Sequence, residues 1–256
     1  MSKNLTITGQ RAVGFGAPTL DGKRGGSVLT IGSGIMVTVN TLTITDGSSI
    51  FGGGIDNSGT LTINDSRITG NLGPIHGDGA IYNSDFGTLT LDNSSVTGNA
   101  LAGGVFNAGT LTMNDSRITG NSSYYGGGLY NDFASATLNQ GSSITGNTAR
   151  SHFGGGVFNY GSRLALNGSR ISGNTAGLEG GGVFNFGTVT MSGSRISGNT
   201  AGRDGGGIYN GSGSVTLHGS SITGNTAGHD GGGVYNLDTV TLHNSSVTGN
   251  RPDNVS

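Results

Sequence analysis

Cysteine is absent, which excludes a disulfide framework and any thiolate metal site. Lysine is reduced to Lys3 and Lys23, charged residues are 10% of the chain, and the net charge is −2. Such a balance excludes the basic footprint of a nucleic-acid binder. No apolar run approaches the ~18 residues of a membrane-spanning helix. Glu179 is the one glutamate among 14 acidic residues, and there are only 3 prolines. Met1-Ser2-Lys3-Asn4 runs directly into strand-like sequence, which predicts no signal peptide in these residues. What remains is 54 glycines set among Thr, Asn, Ser and β-branched residues. That mixture disfavours helix throughout.

The glycines are ordered. A phrase close to T-L-T-I-N-D-S-R-I-T-G-N, then a variable stretch, then G-G-G-I-Y-N, recurs along the chain. One asparagine marker falls at Asn71, Asn99, Asn121, Asn147, Asn174, Asn199, Asn225 and Asn250, a second at Asn57, Asn83, Asn107, Asn131, Asn159, Asn185, Asn210 and Asn236. A period in this range means a solenoid, in which each repeat buries its apolar face only against its neighbours. Propeller blades need a longer repeat, and calcium-binding nonapeptides a far shorter one.

Residues 60–83 show the unit. Thr60-Leu61-Thr62-Ile63 alternates, as do Ser66-Arg67-Ile68-Thr69 and Ala80-Ile81-Tyr82-Asn83, with turn residues between them. Three short strands per repeat predict an all-β, right-handed parallel β-helix of about nine or ten coils in a single domain, 1–256. Residues 1–50 read as irregular first coils, with a long loop or ill-formed rung from Gly9 to Gly26. Residues 51–250 read as regular repeats, and 251–256 as a tail broken by Pro252. Ile68, Val96, Ile118 and their successors form one inward column; Ile55, Ile81, Val105 and theirs form another. A few aliphatics per repeat cannot offset the backbone entropy of ordering it, so only the stack is stable. The Asn markers and the serines at 66, 94, 116, 142, 169, 194, 220 and 245 are expected to bond along the axis. Neither end carries an amphipathic capping helix. Open β-helix ends predict a segment of a longer protein, ends covered by partners, or end-to-end self-association.

The phrase Ser-Arg-Ile-Ser-Gly-Asn-Thr-Ala-Gly followed by Gly-Gly-Gly-Val-Phe-Asn resembles the repeats of bacterial right-handed parallel β-helix proteins, distantly similar to chlamydial polymorphic outer membrane proteins. The opening Leu-Thr-Ile-Thr-Gly and the closing Asn-Arg-Pro-Asp-Asn-Val are similar to the ends of that group. The resemblance covers essentially the whole chain. It implies a secreted or cell-surface protein, with no particular ligand.

Four sets of residues are candidates for function. In the variable loop, Glu179, Asp204 and Asp230 align on successive repeats, with Arg203 and His229 beside them; His152, His76 and Asp78 share the loop on earlier repeats. A flexible loop would splay these side chains into water. Converged, the three carboxylates would bind a cation such as Ca2+ or perform glycosidic acid–base chemistry. No other cofactor is implied. The second set is an outward aromatic column: Tyr82, Phe106, Tyr130, Phe158, Phe184, Tyr209 and Tyr235. It would stabilise neighbouring coils by stacking or bind a sugar or a surface-protein partner. The third set is the outward T-x-T pairs: Thr60 with Thr62, Thr88 with Thr90, Thr110 with Thr112, Thr188 with Thr190, and Thr239 with Thr241. They suggest the flat hydroxyl and methyl array of an ice binder, interrupted at residues 135–137, 163–165 and 214–216. Fourth, His218 and His243 begin a metal site that nothing nearby completes. No nucleophile elbow, phosphate-binding loop or zinc motif is present. The expected function is a non-enzymatic adhesin-like scaffold binding carbohydrate or a partner; a polysaccharide lyase or hydrolase and an ice binder are the alternatives.

Overall fold

Alternation of apolar and polar residues, interrupted every few positions by a residue that tolerates positive φ, yields short strands joined by tight corners. In a computed structural model of the chain, described over residues 4–10, 16–73 and 79–256, those strands stack into a parallel β-solenoid of about nine turns. The strand pairings are parallel and keep register from one repeat to the next, with one shift, between Tyr160 and Arg163. There is no helix among the described residues, and so none long and apolar enough to cross a membrane.

Each coil presents three faces in chain order. The first carries the T-L-T-I strands, such as Thr60–Asn64 and Thr88–Asp92. The second carries Arg67–Thr69 and Ser95–Thr97, and the third Ile81–Asn83 and Val105–Asn107. In two coils the third face runs straight into the next first face, giving the long strands Val157–Asn167 and Val183–Ser192. A fourth, two-residue strand was not foreseen. Thr148–Ala149, Thr175–Ala176, Thr200–Ala201 and Thr226–Ala227 pair with one another just after the Asn marker. Small Ala residues there let this corner close against the core, where Ala149 is fully buried.

The interior is filled as the pattern requires. Leu61, Ile63, Ile68 and Ile81 of one coil are all 0% exposed and sit over their equivalents in the next. The buried asparagines bond to one another. Asn71 Nδ2 donates to Asn99 Oδ1, which also accepts the Asn71 backbone N–H. The pattern repeats to Asn250, with side-chain distances of 2.9–3.2 Å. The second ladder, Asn57 to Asn236, is tighter at 2.7–2.9 Å. Within each ladder an amide thus has partners on both neighbouring coils, which is the condition for burying it.

The serine column bonds backbone N–H to the next Oγ, as from Ser66 to Ser94 and from Ser194 to Ser220. It breaks once. Asn139-Gln140-Gly141 is one residue longer than the equivalent turns, so Ser142 N–H bonds back to Asn139 O at 3.0 Å. Ser169 Oγ is left without a partner.

The ends differ from expectation in two places. Part of the Gly9–Gly26 stretch is a proper rung: Thr19–Asp21 pairs in parallel with Thr43–Thr45. At the other end, the tail folds back as a cap. Asn254 Oδ1 accepts from Asn250 and ends the first ladder, and Asp253 Oδ1 accepts the Gly232 N–H.

Candidate functional site

The variable loop begins where the chain leaves the Thr175–Ala176 type of strand and must return to the third face through G-G-G. Those glycines are demanded by the backbone. Gly180 has φ +70°, and a Cβ there would lie 2.7 Å from Phe184 Cα. At Gly181 a Cβ would lie 2.5 Å from the carbonyl of Gly206 on the next coil. The loops are therefore drawn tightly together and do not splay. Leu178 N–H bonds His152 O, Arg203 N–H bonds Leu178 O, and His229 N–H bonds Arg203 O, at 2.9–3.0 Å. Gly154, Gly180 and Gly205 likewise donate to the carbonyls of Glu179, Asp204 and Asp230.

This register puts the three acidic residues in one file, as the sequence suggested, but it treats them unequally. Glu179 and Asp204 are buried, while Asp230 is exposed to water. Arg203 occupies the space between the first two, with Nη1 3.0 Å from Glu179 Oε1 and Nη2 3.9 Å from Asp204 Oδ2. Asp204 Oδ1 accepts the Asp230 N–H at 3.1 Å. Among the described residues no group of three or more His, Asp or Glu side chains converges to hold a metal. His76 and Asp78 lie outside the described residues. His218 and His243 stack face to face on adjacent rungs, 4.7 Å apart, without a third ligand among the described residues.

The aromatic column stands on the third face, opposite the inward Ile and Val. Its rings follow one another at 4.8–5.1 Å from Tyr82 to Tyr235. At the centre it is not a bare column. Phe158 and Phe184 are buried, covered by a second layer of rings from Tyr125, Phe153, Tyr160 and Phe186. The sequence reading missed these four. Tyr160 and Phe186 were discoverable, since each lies two residues beyond a column member and so on the same side of the strand. Tyr125 and Phe153 lie in the variable loop and reach the column only through the stacking of coils.

Together these rings, with Tyr209 and Glu179, line a groove of about 380 Å³. Glu179 supplies its one carboxyl. Burial raises the Glu179 carboxyl above the usual range, and Arg203 partly offsets this. Its Oε1 is paired, but Oε2 is buried without a hydrogen-bond partner. Tyr209 is raised as well, by burial first and then by the Glu179 charge. The groove can therefore offer apolar contact, with a buried carboxyl in its wall that is paired through one oxygen only.

The threonine pairs lie on the first face in register. The leading residues Thr60, Thr88, Thr110, Thr188 and Thr239 are exposed. Their partners Thr62, Thr90, Thr112, Thr190 and Thr241 are half-exposed. The reason is position along the strand. Apart from Thr188, which follows Gly187 inside the long strand Val183–Ser192, each leading threonine stands at its strand's first residue beside a turn, whereas each partner stands two residues further in. There Thr90 is flanked by Thr62 and Thr112 on the adjacent rungs, and Thr190 and Thr241 both flank Thr216. The array is also split into two blocks by the exposed side chain of Arg163 and by Ala165 beside it.

No protein-family description, curated protein or solved structure matches the chain.

Proposed function

We propose that the chain is a non-enzymatic scaffold, secreted or at the cell surface, that binds a carbohydrate-bearing partner in the groove over Phe158 and Phe184. One observation carries this reading: an aromatic groove contains a buried carboxyl with one unpartnered oxygen. A saccharide combines apolar C–H patches with hydroxyl donors, and so matches both properties of the wall. The secreted or surface placement rests on the resemblance of the repeats alone.

A glycan panel probed with the purified chain tests the reading. Binding should fall about tenfold or more with Tyr160→Ala or Phe186→Ala, as for truncated anchor residues at a binding centre. These rim positions should leave the melting temperature near that of the parent. No glycan retained, or rim variants that bind like the parent, would count against it. A second reading draws on Glu179 and Asp204 standing on adjacent coils against Arg203, since acid–base glycoside chemistry uses two carboxyls in unlike surroundings. Turnover of a polysaccharide, lost in both Glu179→Gln and Asp204→Asn, would establish that reading instead.

A further inference from the structure

The second face has a character that the groove does not explain. Its first outward row carries Arg67, Arg117, Arg170 and Arg195, with serine on the intervening and following rungs. All four arginines are exposed. Among the described residues the only ion pairs are those of Arg203, so none of the four is matched by a carboxylate. Asp65 and Asp115 lie in turns two residues before Arg67 and Arg117, and neither reaches a guanidinium. The second outward row is a hydroxyl on every rung from Thr69 to Thr248. Beyond Asp21 on the first rung, the outward positions of these strands hold no acidic residue.

Arg170 and Arg195 are direct partners on adjacent rungs. Like charges placed directly opposite on neighbouring strands destabilise a sheet. Arg195 relieves this by leaning onward to Thr223 Oγ1, at 2.9 Å. In a chain of net charge −2, the facing pair Arg170 and Arg195, whose preceding turns Gly168-Ser169 and Gly193-Ser194 hold no acid, is a local excess of positive charge.

We infer that the second face is a docking strip for an acidic polysaccharide, laid along the solenoid axis and held by Arg67, Arg117, Arg170 and Arg195. A guanidinium forks onto a carboxylate or sulfate through two parallel N–H donors. The hydroxyl row supplies neutral donors and acceptors beside it, suited to sugar hydroxyls. Charge spacing favours this polymer over a nucleic acid. Arg67, Arg117 and Arg170 stand two rungs apart, about 9.6 Å, a sparse row compared with the phosphate repeat of a nucleic acid. The strands of this face also lack the aromatic platforms on which single-stranded bases stack. A glycan with one anionic group per two sugar rings has the matching sparse charge.

Serine at the same position on other rungs supplies a conservative replacement. Binding of hyaluronate, which carries one carboxylate per two sugar rings, and of the more densely charged polygalacturonate is measured at two ionic strengths, with a neutral glucan and single-stranded RNA alongside. The parent should bind an acidic glycan with an affinity that falls as salt rises, and more tightly than it binds RNA. Arg170→Ser combined with Arg195→Ser should weaken binding at least tenfold with an unchanged melting temperature. Arg150→Ser combined with Arg163→Ser removes the same charge from other faces and should bind like the parent, as should Phe186→Ala, which damages only the groove. The inference fails if neither acidic glycan binds at low salt, if RNA binds more tightly, or if the two double-serine variants lose affinity equally.

Discussion

A buried asparagine costs little here because its neighbours on both sides complete its bonds. Asn174 Oδ1 accepts both the backbone N–H and the side-chain amide of Asn147. Asn174→Ala would orphan that buried N–H and is expected to destabilise the chain by at least about 2 kcal/mol. Asn167 is exposed and donates only to Asn139 Oδ1, and Asn167→Ala should fall within about 0.5 kcal/mol of the parent. Urea midpoints of the two variants make the comparison. Glu179 gives a pH signature of opposite sign to that of an ordinary paired carboxylate. Its carboxyl is raised by burial, so the folded state holds the proton more tightly than the unfolded chain does. Its contribution to stability is full below the ordinary glutamate range and declines as pH rises through the raised folded value. Melting temperatures across that range should decline more steeply for the parent than for Glu179→Gln. Arg203→Gln should steepen the decline further, since Arg203 lowers the carboxyl.

At the scale of the strand and its turn, spacing decides which bonds form. The three alternating segments were legible because period-two burial leaves its mark on every repeat: Leu61 and Ile63 inside, Thr60 and Thr62 on the outer side. How far each outer residue stands clear of its neighbours was not legible, since Thr60 and Thr62 look alike in the sequence and differ only in their distance from a turn. The serine column was legible too, but its break was not. Only the structure shows that the extra residue in Asn139-Gln140-Gly141 turns the Ser142 N–H away from Ser169. Deleting Gln140 would restore Asn-Gly-Ser, the turn already present at Asn167-Gly168-Ser169. The deletion is expected to be neutral or stabilising in denaturant unfolding. Removing one residue from within a strand such as Thr88–Asp92 would instead exchange the inner and outer positions beyond the cut and destabilise the chain severely.

For the molecule as a whole, stability is a sum of coils and of contacts between adjacent coils. Excising residues 175–199 joins Asn174 directly to Thr200, the same Asn-Thr junction that the neighbouring coils use. The shortened chain should fold, with a smaller denaturant m-value because less surface is exposed on unfolding. It should also lose groove binding, since Glu179 and Phe184 leave with the coil. The last rung still presents a strand edge, with Leu237 and Leu242 exposed, although the tail covers part of it. Truncating residues 251–256 removes the Asn254 cap and should promote association, measured by concentration-dependent light scattering.

Composition and periodicity alone were enough for the solenoid, its inward aliphatic columns and its two asparagine ladders. Each is a local pattern repeated at fixed spacing, and stacking merely superposes the copies. The covered aromatic groove was beyond such a reading. It depends on loops of unequal length meeting at one height, so that Tyr125 and Phe153 reach Phe158 and Phe184 while Arg203 comes between Glu179 and Asp204. Burial of that glutamate is likewise a property of neighbours two coils wide, and no single repeat contains it.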